Sequence, residues 1–174
     1  MTADISSRRI GALILSVLAL VLTIAGLWWV LARDTSPNLL DRRAEVAERG
    51  AAVMPFDLDK TTHSFQPVAD GGQQTVTAHN PTDIEQIRLI REHLTSETAK
   101  FTAGDFGDPA TIHGDRMPGL ADLRAGAARI TVRYEELPDG ARLFYTTNEP
   151  PLVSALHQWF EAQSSDHGTG DHGN

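Results

Sequence analysis

The chain has 174 residues, no cysteine, and 15 basic against 23 acidic side chains, for a formal charge of −8. Without thiols there are no disulfide staples, thiolate metal sites, covalent haem attachment or lipoprotein acylation. The acidic balance, with no Lys/Arg cluster beyond the N-terminal region, excludes a surface that tracks phosphates, so nucleic acid is not an expected partner.

A short tail, residues 1–9, carries Arg8 and Arg9 and precedes an uncharged run from Ile10 to Ala32. At about 1.5 Å per helical residue the run spans roughly 34 Å, enough to cross a hydrocarbon core with some tilt. Trp28 and Trp29 stand near its far end, where indoles favour the membrane–water interface. This pattern predicts a single transmembrane anchor over 10–32 with the bilayer as its partner. A cleaved signal peptide ending near Val30-Leu31-Ala32 is the alternative, and Ser7-Arg8-Arg9 faintly suggests a twin-arginine signal. Arginines flank both ends of the run, but the short tail before it and the large domain after it favour N-in, C-out. The protein is then expected in a bacterial cytoplasmic membrane, its C-terminal domain extracytoplasmic.

Residues 33–50 read as a linker, turning at Ser36-Pro37-Asn38, and a short polar helix from Leu40 that stops at Gly50. Val53-Met54-Pro55-Phe56 is apolar but broken by proline, an edge strand or packed connector. Within the soluble domain, 51–164, two stretches resemble each other at an offset of 69 residues. Asp70/Asp139, Gly71/Gly140, Thr77/Thr146, Pro81/Pro150 and Glu92/Glu161 coincide. Each unit reads as a strand, at 62–68 or 129–135, an Asp-Gly turn, a second alternating strand and an amphipathic helix. The expected fold is α+β: an N-terminal transmembrane helix, then two β-hairpin–helix units forming a four-stranded, mainly antiparallel sheet. Chance similarity of two generic units is the competing explanation. The bridge from Gly104 to Leu123, rich in Gly, Asp and Pro and with a short helix from about Gly119 to Arg124, is the natural place for a site. Residues 165–174 read as a flexible, histidine-containing tail.

Seven histidines and no cysteine leave imidazole, thioether and carboxylate as transition-metal ligands. His113 and Met117, four apart in the bridge, form a nitrogen–sulfur pair that suits copper, or else a capping histidine and a packed methionine. His63 shares the strand parity of Phe65, and His157 borders the Val153, Leu156, Phe160 stripe of the last helix; both serve equally as core-edge histidines. His93 flanks the Ile84, Ile87, Ile90, Leu94 stripe. His79 has the parity of a solvent-facing residue. His167, in the doubled Asp-His-Gly of the tail, is either a metal tether or a solvated end. The candidate ligands are therefore His63, His113, Met117, His157 and His167. No nucleophile elbow, phosphate loop or dinucleotide fingerprint is present, so the residues favour a binding role over an enzymatic one and leave the enzyme question open.

Several motifs carry a family resemblance. They are T-T-H-x-F at 61–65, G-G at 71–72, I-R-E-H-L at 90–94, G-D-F at 104–106, I-H-G-x-x-M-P-G-L at 112–120, Y-T-T at 145–147 and A-L-H-x-W-F-x-A-Q-x-x-D-H-G at 155–168. In these the chain resembles a family of uncharacterised bacterial membrane-anchored proteins. Its members often carry the label aspartate carbamoyltransferase; this chain lacks the S-T-R-T phosphate loop and the H-P-x-Q segment of those enzymes. The resemblance implies that His63, His93, His113, Met117, His157 and His167 belong to motifs. The expected function is an extracytoplasmic domain that binds a transition metal, copper first, through His and Met. The alternative is a membrane-anchored interaction module of a larger membrane complex, its histidines structural.

Overall fold

The computed structural model describes residues 39–167. The apolar run 10–32 and residues 168–174 of the tail lie outside the described residues. No described helix is long and apolar enough to cross a membrane. The elements run α1 (Leu39–Val53), β1 (Thr61–Val68), β2 (Gly71–Ala78), α2 (Ile84–Thr102), α3 (Gly107–His113), α4 (Leu120–Gly126), β3 (Thr131–Leu137), β4 (Gly140–Thr146) and α5 (Pro150–His167). Single 3-10 turns, Leu58–Lys60 and Ala127–Arg129, lead into β1 and β3.

The α+β expectation holds for these residues. The strands form one antiparallel sheet in the order β1-β2-β4-β3, so the two hairpins meet through their second strands. The register pairs Gly71 with Thr146 and Thr77 with Gly140. Those four positions make up two of the five coincident pairs found at the 69-residue offset, and their contacts are reciprocal. A Cβ on Gly71 would lie 1.9 Å from the Tyr145 carbonyl oxygen, and one on Gly140 would lie 2.0 Å from that of Val76, its counterpart in the first unit. The repeat is thus a pseudo-twofold arrangement whose close strand crossing admits only glycine at these two places.

One face of the sheet carries the core. Val76, Ala78, Ala141, Leu143 and Tyr145 point at α2 and α5, which return Ile87, Ile90, Leu94 and Phe101, and Leu152, Leu156, Trp159 and Phe160. The rings of Phe101, Phe106, Tyr145, Trp159 and Phe160 meet at centroid distances of 5.1 to 5.9 Å. The opposite face is polar and half-exposed, with Arg133 stacked 4.0 Å over Phe144.

Local expectations fare unevenly. α1 runs through Gly50 to Val53 rather than stopping there; Gly50 is buried in the helix, where Leu58 closes on it. Val53 to Phe56 is a packed connector, with Phe56 in the core. α2 begins at Ile84, its cap the carboxylate of Asp83, which accepts from Gln86 N. In the bridge the expected short helix near 119–124 is α4, and α3 adds a second helix that the composition does not suggest. α5 continues to His167, so Ser165 and Asp166, expected in a loose tail, are helical. Asp166 is buried and ion-paired, which explains the extension.

Gly140→Ala should destabilise the domain by about 3 kcal/mol or more, because the new methyl meets backbone and not a movable side chain. Chemical denaturation monitored by circular dichroism measures this.

Candidate metal centre

Helix α2 places a carboxylate where its apolar stripe requires a hydrocarbon. Ile87, Ile90, Leu94, Glu97 and Phe101 follow one another at helical spacing on the buried face, and Glu97 is 3% exposed. His93, one turn earlier, is half-buried beside it. After α2 the chain reverses at Gly104, with φ of 80°, and Asp105 accepts from Gly107 N to start α3. The first turn of α3 brings Asp108 back against α2. Ligand atoms of His93, Glu97 and Asp108 consequently lie within 4.8 Å of one another.

Lys100, on the same helix, binds the two carboxylates together. Its Nζ donates to Asp108 Oδ2 at 2.7 Å and lies 2.9 Å from Glu97 Oε1, a contact with the distance but not the angle of a hydrogen bond. Burial dominates Glu97 and raises its pKa to about 7; Lys100 opposes this shift and Asp108 adds to it. Burial also pushes the Asp108 carboxyl up, but bonds to Lys100 and Glu97 and the Lys100 and His93 charges hold it below its ordinary value. Burial drives the His93 pKa down, against the pull of Asp108 and with the push of Lys100. His93 is thus the neutral imidazole a metal needs.

These groups face an internal cavity of about 30 Å³, whose wall also includes His63, His113, Gln74 and Gln163. That volume admits a water-sized species or an ion. Phe56 presents its ring edge-on to both His63 and His93, at 5.7 and 5.6 Å. The Tyr145 hydroxyl donates to Gln74 Oε1 at 2.8 Å. Gln163 is 5% exposed, and its Nε2 has no acceptor among the described residues. An unpaired buried amide donor costs about 1–3 kcal/mol and calls for an oxygen in the cavity.

The His113 ring is held from behind. Its Nδ1 donates to Asp166 Oδ2 at 2.9 Å. Arg42 grips the same carboxylate through Nε and Nη2 at 2.5 and 2.6 Å, and its Nη2 also donates to the His113 carbonyl at 3.2 Å. Burial raises the Asp166 pKa, but Arg42 and His113 more than reverse it. Burial keeps His113 itself low, though Asp166 works against this. A carboxylate on Nδ1 fixes the tautomer and leaves Nε2 as the basic nitrogen, an arrangement common behind metal-bound histidines.

Of the sequence-derived candidates, His63 and His113 share the cavity wall, while Met117 and His157 are not on it. Met117 belongs to the hydrophobic core and is 7% exposed, which matches the packed-methionine alternative. His157 Nε2 donates to the carbonyls of Val68 and Gly71, at 2.9 and 3.0 Å, and so caps the β1–β2 turn from α5. This corrects the expected convergence of His157 with His63 and His113: that nitrogen already serves two carbonyl oxygens. His167 ends α5, and its side chain lies outside the described residues. His79 is exposed, as its parity predicts, and bonds Thr62 Oγ1 at 3.0 Å. The sequence reading missed His93 as a ligand, together with Glu97 and Asp108. The signal for Glu97 was present: it interrupts the apolar period of α2.

Comparison with protein-family models, with curated proteins and with solved structures finds no match to this chain.

The Glu97 carboxyl binds its proton more tightly folded than unfolded. Its contribution therefore favours the folded state below pH about 4.5 and is lost as pH rises toward about 7. In metal-free protein, wild type should lose up to about 3 kcal/mol of stability relative to Glu97→Gln between pH 4.5 and 7.5. Parallel urea curves at the two pH values measure the difference. His157→Leu should cost about 2 kcal/mol in the same assay, because two turn carbonyls lose their donor, and should leave metal affinity unchanged.

Proposed function

We propose that this chain is a membrane-anchored extracytoplasmic domain that binds a divalent transition-metal ion through His93, Glu97 and Asp108. The observation that carries the reading is convergence on one cavity of a neutral imidazole, two carboxylates and an unpartnered amide donor. The Gln163 amide suits an oxygen bound to the ion, a water or a carboxylate. His63 and His113, on the same wall, offer further imidazoles. The anchor rests on the uncharged run from Ile10 to Ala32.

The chemistry of the donors narrows the metal. Nitrogen and oxygen ligands suit zinc or Cu(II), whereas Cu(I) favours sulfur, and Met117 is packed in the core. Copper thus stays in the reading as Cu(II), bound without the thioether. Donor atoms around a tetrahedral ion stand about 3.4 Å apart, from zinc–ligand lengths of about 2.0–2.2 Å. The cluster therefore needs a closing movement of up to about 1.4 Å, within the reach of the Glu97 and Asp108 torsions.

A second reading, an interaction module, has one observation in its favour. Ile84 is 72% exposed, and it borders a shallow cleft with Ile87 and Pro138.

Wild-type protein should bind Zn(II) or Cu(II) with a dissociation constant below about 1 µM. His93→Ala and Glu97→Gln should each weaken binding by at least 100-fold, about 2.7 kcal/mol. Isothermal titration against a competing chelator measures both. Wild-type affinity weaker than micromolar for both ions overturns the reading.

A further inference from the structure

The position between Glu97 and Asp108 is already held by a cation of the chain itself. Lys100 Nζ lies 2.9 Å from one carboxylate and 2.7 Å from the other, where an ion shared by the two would sit. The fit is loose on one side, since the Glu97 contact lacks hydrogen-bond geometry. The side chain is also not trapped. Lys100 is 35% exposed while Glu97 is 4% exposed, so the ammonium has a path to water that the carboxylate lacks. A lysine stem has four rotatable carbons and a single compact charge, and can swing away without moving its helix. Gln163, nearly fully buried, still leaves its amide donor unmatched, so the lysine-filled arrangement leaves the cavity incomplete.

We propose that Lys100 is a tethered placeholder for the metal: its single charge is shared between Glu97 and Asp108 while the site is empty, and an incoming divalent ion must displace it to solvent. The inference rests on the metal-binding reading above. It makes Lys100 an internal competitor that sets the affinity of the site. If the ammonium occupies the position 90–99% of the time, apparent affinity falls by about 10- to 100-fold below the intrinsic value. A monovalent ion offers the carboxylates no more charge than Lys100 already does, so the placeholder also selects for divalent ions. Displacement moves the link between α2 and α3 from the lysine to the ion.

The test is Zn(II) titration of the full-length chain in detergent, against a chromophoric chelator, comparing wild type with Lys100→Met, Lys100→Arg and His93→Ala. Lys100→Met keeps the length of the stem and removes the charge; it should bind Zn(II) at least 10-fold more tightly than wild type. Lys100→Arg keeps the competitor and should bind no more tightly than wild type. If Lys100→Met binds equally or more weakly while His93→Ala still loses affinity, the placeholder is overturned and the metal site stands. If wild type and His93→Ala bind alike at micromolar affinity or weaker, the metal site falls and takes the placeholder with it. Should Lys100→Met lose its folded circular dichroism without metal, a placeholder role requires that 1 mM Zn(II), about 1,000-fold above the expected dissociation constant, restores it. Failure to restore it identifies Lys100 as a structural ion pair alone.

Discussion

A sheet covered on one face has a single apolar layer to hold it, and here that layer is sealed by the aromatic cluster around Trp159. Tyr145 supplies it from the sheet, Phe101 from α2, Phe106 from the approach to α3, and Phe160 from α5. The rings meet mainly edge to face, which adds about 0.5–1.5 kcal/mol per pair to the burial of their area. The polar side chains of the cavity, Gln74, Glu97 and Gln163 among them, lie at the border of this cluster. The cavity begins where the rings end, and Phe101 is common to both.

That border explains why the cavity is polar rather than empty. A carboxylate inserted into an apolar helix stripe must be neutralised, paired or bound to an ion, because solvation is lost on burial. Glu97 draws on the first two: its pKa is pushed to about 7 and Lys100 stands beside it, while His93 and Asp108 are the donors the third would use. Replacement by leucine would suit the stripe better for stability alone.

Much of the architecture was legible because it depends on local patterns. Strand alternation, two-residue turns and the offset of 69 gave the two units, and the antiparallel sheet follows from pairing their hairpins. The glycines at 71 and 140 were visible as coincidences, though only the strand crossing gives them a reason. The site was harder to read. His63 and His113 stood out as histidines in motifs, but attention to residue type alone favoured Met117 and His157, whose roles are packing and turn capping. Glu97 and Asp108 are common residues in an acidic chain, and 11 positions separate them. Only the reversal at Gly104 makes them neighbours. The loose tail was overdrawn for a related reason: Asp166 is polar in sequence but paired across 124 residues with Arg42.

That last pairing joins the first described helix to the last. α1 contributes a single core-depth hydrophobe among its described side chains, Val46, so most of its attachment is electrostatic and close to the surface. Closing so long a loop is entropically expensive relative to forming either hairpin. A helix held by so few buried apolar side chains lies toward the low-stability end from which local opening is drawn. When it leaves, Asp166 and the His113 carbonyl lose the same guanidinium together, and the imidazole on the cavity wall loses the grip behind it. Order at the cavity is thus tied to the docking of α1.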